Sequence, residues 1–288
     1  MGLGGDLIYT AAVREIKLNY PDHNVYLIET NKVGKYFPKL KRYFWNYSDS
    51  PVFNNNPYLS FGRFIDKSII IDRNDLKNHY MKNELSDRYI WKESGHAVEI
   101  ICNNYNVIPK SLKPDIFFGK SEKIKYRKSF NDLPKTYIVL EPNGKTIYFN
   151  TNRLYFFDRW QEVINKISSR ISIIQIGDGE GESLGNVINY NGKLSFRETA
   201  WVVSKAKLFV GTIGGLMHLA RAVNTKSLIL YSGTENVNMV GYKENLNMIN
   251  EVECSPCGLK VECPYNRKCM DFSVDEVADS IIQLLKKE

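Results

Sequence analysis

Gly211-Thr-Ile-Gly-Gly-Leu-Met-His-Leu-Ala-Arg-Ala-Val-Asn-Thr-Lys-Ser-Leu-Ile-Leu-Tyr-Ser-Gly-Thr234 decides the fold of this chain. It follows an apolar run, Lys207-Leu-Phe-Val210, and reads as strand, Gly-rich turn, helix, strand. The helix is expected over 216–223, with Leu216, Leu219, Ala220 and Val223 on one face. Ser227-Leu-Ile-Leu-Tyr231 is the outgoing strand. A turn of this kind lets backbone N–H groups approach an anion, and the helix N-terminus adds partial positive charge. Glycine leaves free the space that a Cβ would fill. On the pattern alone two readings stay open. The turn binds a diphosphate, or it is an ordinary βαβ turn in which Gly211, Gly214 and Gly215 only relieve strain. His218, one turn into the helix, can donate to a phosphate or to a backbone group.

Working outward, strand and helix alternate. In the second half, strands are expected at 137–140 and 171–176, and helices at 157–167 and 197–205. In the first half, a helix is expected over 6–20, then strands at 25–28 and 68–71. Loop follows at 46–62, a polar helical stretch at 74–89 and a helix at 96–105. Such alternation argues for an α/β protein with parallel sheets covered on both faces. A length of 288 residues fits two domains, placed at 1–125 and 136–288. Lys120-Ser-Glu-Lys-Ile-Lys-Tyr-Arg-Lys128 between them reads as a basic linker.

Apolar residues make up 43% of the chain, enough for real cores. No apolar run reaches the roughly 18 residues of a membrane span. No basic stretch followed by an apolar run marks a secretory signal, so a cytoplasmic protein is expected. The net charge of +7 suits an anionic substrate, nucleic acid or an anionic membrane face. Lys and Arg are scattered rather than massed, which ranks nucleic acid low.

Cys254, Cys257, Cys263 and Cys269 are spaced C-x2-C-x5-C-x5-C. Four thiolates this close suit a tetrahedral zinc or an iron. Two disulfides, or four free thiols, remain alternatives. Cys102 stands alone on an apolar helix face and is expected in the core.

Taken together the blocks resemble glycosyltransferase family 9, the bacterial heptosyltransferase family. Gly4-Gly-Asp-Leu-Ile8 resembles its N-terminal loop and helix. Gly95-His-Ala-Val-Glu99 resembles a His-containing segment late in the first domain. Asn152-Arg153 through Trp160-Gln-Glu162 resembles the basic and aromatic block opening the second. Ile176-Gly-Asp-Gly-Glu180 resembles its Gly-rich turn. Gly214-Gly-Leu-Met-His-Leu-Ala220 resembles the donor-phosphate motif, and Tyr231-Ser-Gly-Thr234 the turn after it. The four cysteines resemble a C-terminal cysteine block. The likeness covers nearly the whole chain.

The resemblance implies a GT-B fold, two Rossmann-like domains facing across a cleft. It implies inverting transfer of a sugar, usually heptose, from a nucleotide sugar, usually ADP-linked. The acceptor would be a lipopolysaccharide core or related glycan, reached in the cytoplasm or at the inner membrane face. Asp6 is then the general base, with a helix N-cap as its local alternative. Arg153, Gly214, Gly215, Leu216, Met217 and His218 would hold the donor diphosphate. Glu180 would accept from the ribose hydroxyls, with Asp178 and Glu182 as competitors. His96 could line the acceptor side or start a helix, and Lys145 and Arg159 are spare cations. Backbone donors and cations make a catalytic divalent metal unnecessary. Two alternatives stand beside this reading: a non-catalytic nucleotide-sugar-binding relative, and a protein whose functional centre is a thiolate-bound metal.

Two departures bear on it. Ile213-Gly214-Gly215 stands where the family usually has Asp-Thr-Gly, so the donor sugar is open. Only Met1-Gly2-Leu3 precede the Gly4-Gly5-Asp6 loop, too few for a first strand. The expectation is a shortened chain whose first sheet has a gap beside 25–28, or whose strands close up.

Overall fold

The computed structural model describes residues 2–37, 42–46, 50–62, 64–74, 81–82, 85–91, 95–146, 148–177, 179 and 181–286. The first half opens with helix α1 (Leu3–Asn19), followed by strands β1 (Asn24–Phe37), β2 (Arg42–Asn46) and β3 (Ser68–Asp72). Short strands β4 (Met81–Lys82) and β5 (Ile90–Trp91) precede helices α2 (Ala97–Asn103) and α3 (Lys120–Ser129).

Helix α1 begins before Asp6 because the amides of Gly5 and Asp6 both donate to the carbonyl of Gly2. Gly2 is therefore the N-cap residue, and Asp6 lies inside the first turn rather than capping it. Val25 pairs with Ile69 and Leu27 with Ile71 in a parallel register. The strands at 25–28 and 68–71 thus close up directly, one of the expected outcomes. On the other edge of β1, Ile28 faces Asn46 of an antiparallel β2 that sequence reading did not find. The polar stretch expected as helix at 74–89 instead carries β4, which pairs with β5; its residues 75–80 and 83–84 lie outside the described residues.

The expected linker is also corrected: residues 120–129 are helix α3. One turn in from its start, Glu122 accepts from the Gly119 amide at 2.9 Å, which fixes the first turn. Tyr126 is buried and packs against Phe118 and Trp201. Arg197, almost fully buried, donates to Glu122 and to the Phe117 carbonyl, so the helix is tied to the second half.

The second half is β6 (Tyr137–Glu141), α4 (Phe157–Ile167), β7 (Ser172–Gln175), β8 (Ile188–Asn189), α5 (Phe196–Lys205) and β9 (Leu208–Thr212). It continues with α6 (Gly215–Ala222), β10 (Ser227–Tyr231), α7 (Val237–Val240), β11 (Leu246–Ile249) and α8 (Val274–Lys286). The six strands run parallel in the order β11-β10-β9-β6-β7-β8. That is the doubly wound order, whose winding reverses between β6 and β9. β6, β9 and β10 are buried along their whole length, as apolar runs covered on both faces should be.

Two cores result. One lies under α4 and α8, around Trp160, Ile173, Val210 and Phe272. The other is continuous across both halves and joins Leu7, Ala11 and Ile16 of α1 to Phe209, Leu219 and Ile229. Cys102 is fully buried in this second core, as expected. Among the described residues no helix is long and apolar enough to cross a membrane.

Candidate active site

A cavity of about 550 Å³ opens at the carboxyl ends of β6 and β9. Open α/β sheets place ligands at this reversal of strand order. Glu141 and Thr212, the last residues of those two strands, line it. So do Gly2 to Gly5 at the start of α1 and Ile213 to His218 at the start of α6. Two helix N-termini, one from each half, therefore meet at the same cavity. The leading N–H groups of a helix lack partners within it, and both dipoles favour negative charge there.

Glycine permits this meeting. A Cβ on Gly4 would stand 3.0 Å from the Cα of Gly215 and 3.3 Å from Cδ2 of His218. A Cβ on Gly215 would stand 3.5 Å from the amide nitrogen of Gly4. Gly214 plays another part: its backbone is extended, and a Cβ there would meet nothing within 4 Å. It contributes open space rather than a special conformation. Leu216 and Met217 also line the cavity.

Aromatic side chains form another wall, with Tyr89, Tyr148, Phe149 and Phe196. The Arg153 guanidinium lies 3.6 Å from the centroid of the Phe149 ring. Its Nε donates to Oγ1 of Thr234 at 3.3 Å and its Nη2 is paired with Glu235. Arg153 thus faces the cavity already held in place. Burial pushes the Glu235 carboxyl up, against the pull of Arg153. Lys145 also lines the cavity, whereas Arg159 is paired with Asp271 away from it.

His218 is buried, and its Nδ1 lies 2.7 Å from the Tyr242 hydroxyl. Burial pushes its pKa down to about 3, so the ring is neutral near pH 7. His96 is not part of the wall. It caps α2: Nδ1 accepts from the Val98 amide at 3.2 Å, and Glu99 accepts from the His96 amide.

Asp6 is likewise set back. Its carboxylate is ion-paired with Arg73 at 2.8 Å and accepts from Ser50 at 2.8 Å. Only 4% of the residue is exposed, and burial raises its carboxyl above the usual range despite Arg73. Neighbouring Gly5 and Ile8 line the cavity, so Asp6 stands directly behind the wall. Glu180 and its competitor Asp178 lie outside the described residues.

The four clustered cysteines surround a second, small cavity of about 20 Å³ with Asn152, Gly233 and Arg267. That volume holds one water-sized sphere. Burial pushes the thiols of Cys257 and Cys269 up. Among the described residues no group of three or more His, Cys, Asp or Glu stands at metal-ligating geometry. The thiols are gathered, but they are not drawn onto a common centre. The block is anchored to both halves. The Cys257 amide donates to Gly233, and the Tyr89 amide donates to Gly258. Gly258 has a φ of +62°, and a Cβ there would fall 2.2 Å from the Tyr89 carbonyl oxygen, so only glycine fits.

The family model for glycosyltransferase family 9 (heptosyltransferase) matches residues 105–268. This chain belongs to glycosyltransferase family 9. Its fold is that of the glycosyl transferase family 9 protein from Veillonella parvula DSM 2008, with a TM-score of 0.65 at 14% identity. That alignment covers 100% of this chain and 96% of the other. E. coli ADP-heptose lps heptosyltransferase II aligns with a TM-score of 0.62 at 12% identity, over 98% of this chain and 96% of that one. The dodecameric iron-containing heptosyltransferase TibC from enterotoxigenic E. coli H10407, in complex with ADP-D-beta-D-heptose, aligns at 0.55 and 14% identity. There the alignment covers 79% of this chain and 63% of that one. The fold is therefore GT-B, as the resemblance implied. Among curated proteins, the chain is 29% identical over 70 residues to large ribosomal subunit protein bL21 of Prochlorococcus marinus (strain NATL1A). This match takes in 24% of the chain and spans half the length of that relative.

Sequence reasoning missed Gly4, Glu141, Glu235 and Tyr242 as parts of the site. Glu141 had a signal, since it directly follows the strand expected at 137–140, where ligands gather. Glu235 follows the turn after another. Gly4 and Tyr242 depend on contacts between distant segments.

Proposed function

We propose that this chain transfers a sugar, with heptose favoured, from a nucleotide sugar, with ADP favoured, to a lipopolysaccharide-core or related glycan with inversion. The observation that carries the reading is the convergence of two helix N-termini and Arg153 on one cavity. A diphosphate is the ligand such a set accommodates best: it takes backbone donors at two dipole ends and a guanidinium. The 214–216 amides, His218 and Arg153 stabilise the leaving diphosphate electrostatically. The aromatic wall receives the nucleoside, and Ile213 borders the sugar. Relatives of the same fold act on ADP-heptose by name or were solved with it, which favours that donor here. The acceptor is met in the cytoplasm or at the inner membrane face. A thermal-shift screen with ADP-, UDP- and GDP-sugars tests the reading. The ADP-sugar should give the largest stabilisation, and no shift with any of the three would defeat it.

Asp6 is the proposed general base. Its raised carboxyl suits a proton acceptor, but Ser50 or Arg73 must give way before an acceptor hydroxyl comes within the roughly 2.6–3.2 Å that proton transfer needs. This seclusion favours one second reading, a nucleotide-sugar-binding relative without turnover. Product formation from an ADP-sugar separates the two.

The cysteine block takes one zinc or iron. The support is donor chemistry and proximity: four thiols line one small cavity, and a bound ion would have to draw them inward onto a common centre. Cys254, Cys257, Cys263 and Cys269 would hold it, and the metal would pin the turn at 232–235 that presents Glu235 to Arg153. Elemental analysis of protein purified without chelator should find about one metal per chain. Four freely titratable thiols and no metal would sink the assignment.

A further inference from the structure

We infer that Tyr242 is a positioning residue: its hydroxyl donates to Nδ1 of His218 and so places the single imidazole proton on Nε2, toward the donor diphosphate. This rests on the diphosphate reading of the cavity and adds to it the group that sets the histidine's tautomer.

The path of the chain puts Tyr242 there. Helix α7 ends as the Gly241 amide donates to the Val237 carbonyl at 2.7 Å. A Cβ on Gly241 would fall 2.5 Å from that carbonyl oxygen and 2.7 Å from the Tyr231 hydroxyl, so glycine lets the chain turn inward. Tyr242 then enters the core with 3% of its surface exposed. Its ring stands edge-on to His218, with centroids 5.6 Å apart and planes at 88°. His96 packs against it as well, at 5.7 Å.

The direction of the hydrogen bond follows by elimination. A buried phenol needs an acceptor for its proton. Among the described residues, His218 Nδ1 is the only hydrogen-bond partner of the Tyr242 hydroxyl. The phenol stays protonated, since burial raises its pKa well above 10. His218 is neutral, because burial holds its pKa at about 3. A neutral imidazole carries one proton, and an Nδ1 that accepts leaves it on Nε2. The Cδ2 edge of the ring, next to Nε2, lies beside Gly4 at the meeting of the two helix N-termini. A phosphate oxygen there receives an N–H rather than a lone pair. The reverse tautomer would present a lone pair to an anion and repel it.

The test combines ring ¹⁵N spectroscopy with ADP binding on the full chain. In wild-type protein the His218 resonances should show Nδ1 unprotonated and Nε2 protonated. Tyr242→Phe removes one hydrogen bond and leaves the ring in place. It should mix the tautomers and weaken ADP binding roughly 3- to 10-fold, the scale of one such bond. In a His218→Ala background the same substitution should leave ADP affinity unchanged. An Nδ1-protonated His218 in wild-type protein that binds ADP overturns the assignment, and needs no variant to fold. An equal loss from Tyr242→Phe with and without His218 also overturns it, because Tyr242 would then act by packing. Absence of ADP binding by the wild type marks a different failure, that of the diphosphate reading itself.

Discussion

Asp6→Asn should lower turnover roughly 10²-fold or more, the scale of losing a positioned base, while ADP affinity stays near the wild-type value. Asparagine keeps the shape of the side chain and can still accept from Ser50. It cannot take a proton. The substitution also removes the buried partner of Arg73, although Glu29 lies 3.7 Å from that guanidinium and can take up part of its charge. Breaking a buried pair costs about 3–5 kcal/mol when nothing replaces the lost charge. Melting temperature and ADP affinity are therefore measured beside turnover. A stable, ADP-binding, inactive variant supports the base. Near-wild-type turnover would make Asp6 a purely structural anion and move the search to Glu141 and Glu235. Those are the carboxylates on the cavity wall itself. Glu141→Gln and Glu235→Gln, assayed in parallel, identify which of the two takes over.

The ambiguity has a physical origin that the sequence does not display. A Gly-Gly-Asp ahead of an apolar helix reads as a cap, or by resemblance as a base, because a carboxylate at a helix start can serve as either. The structure gives the cap to Gly2 and turns Asp6 toward Arg73, 67 residues away in sequence (73 − 6). No local pattern encodes that partner. The second half was far more legible. The helix at 157–167 and the strand at 227–231 fall where apolar periodicity and run length put them. Each buries a face that its own sequence defines. The stretch at 120–128 misled because its charges mask one decisive apolar contact, Tyr126 against Trp201. The glycines of the 211–215 turn were legible as permitting close approach. What approaches was not: it is Gly4, from the other half of the chain.

Gly215→Val should reduce ADP affinity roughly 10²-fold, because the substitution acts on that approach rather than on any one hydrogen bond. The Cβ alone fits, at 3.5 Å from the Gly4 amide nitrogen and 3.7 Å from its Cα. The two γ-methyls have only the Gly4 backbone and the cavity to enter. Either α1 is pushed off α6, or the methyls occupy space meant for phosphate oxygens. In the first case the two helix N-termini no longer converge and their donors to the anion are lost together; at roughly 1.5–3 kcal/mol for each bond to a charged group, that is on the order of 10²-fold. In the second the ligand is excluded directly. The fold should survive, since residue 215 is the first of its helix and the core beneath it begins at Met217. His218→Ala serves as the partner experiment. It removes one donor to a charged group, worth roughly 1.5–3 kcal/mol, without moving either helix. Circular dichroism and melting temperature establish that both variants are folded, and calorimetry with ADP reads the affinity. If both bind ADP as the wild type does, the diphosphate does not sit at this turn, and the convergence of α1 and α6 is a packing solution only.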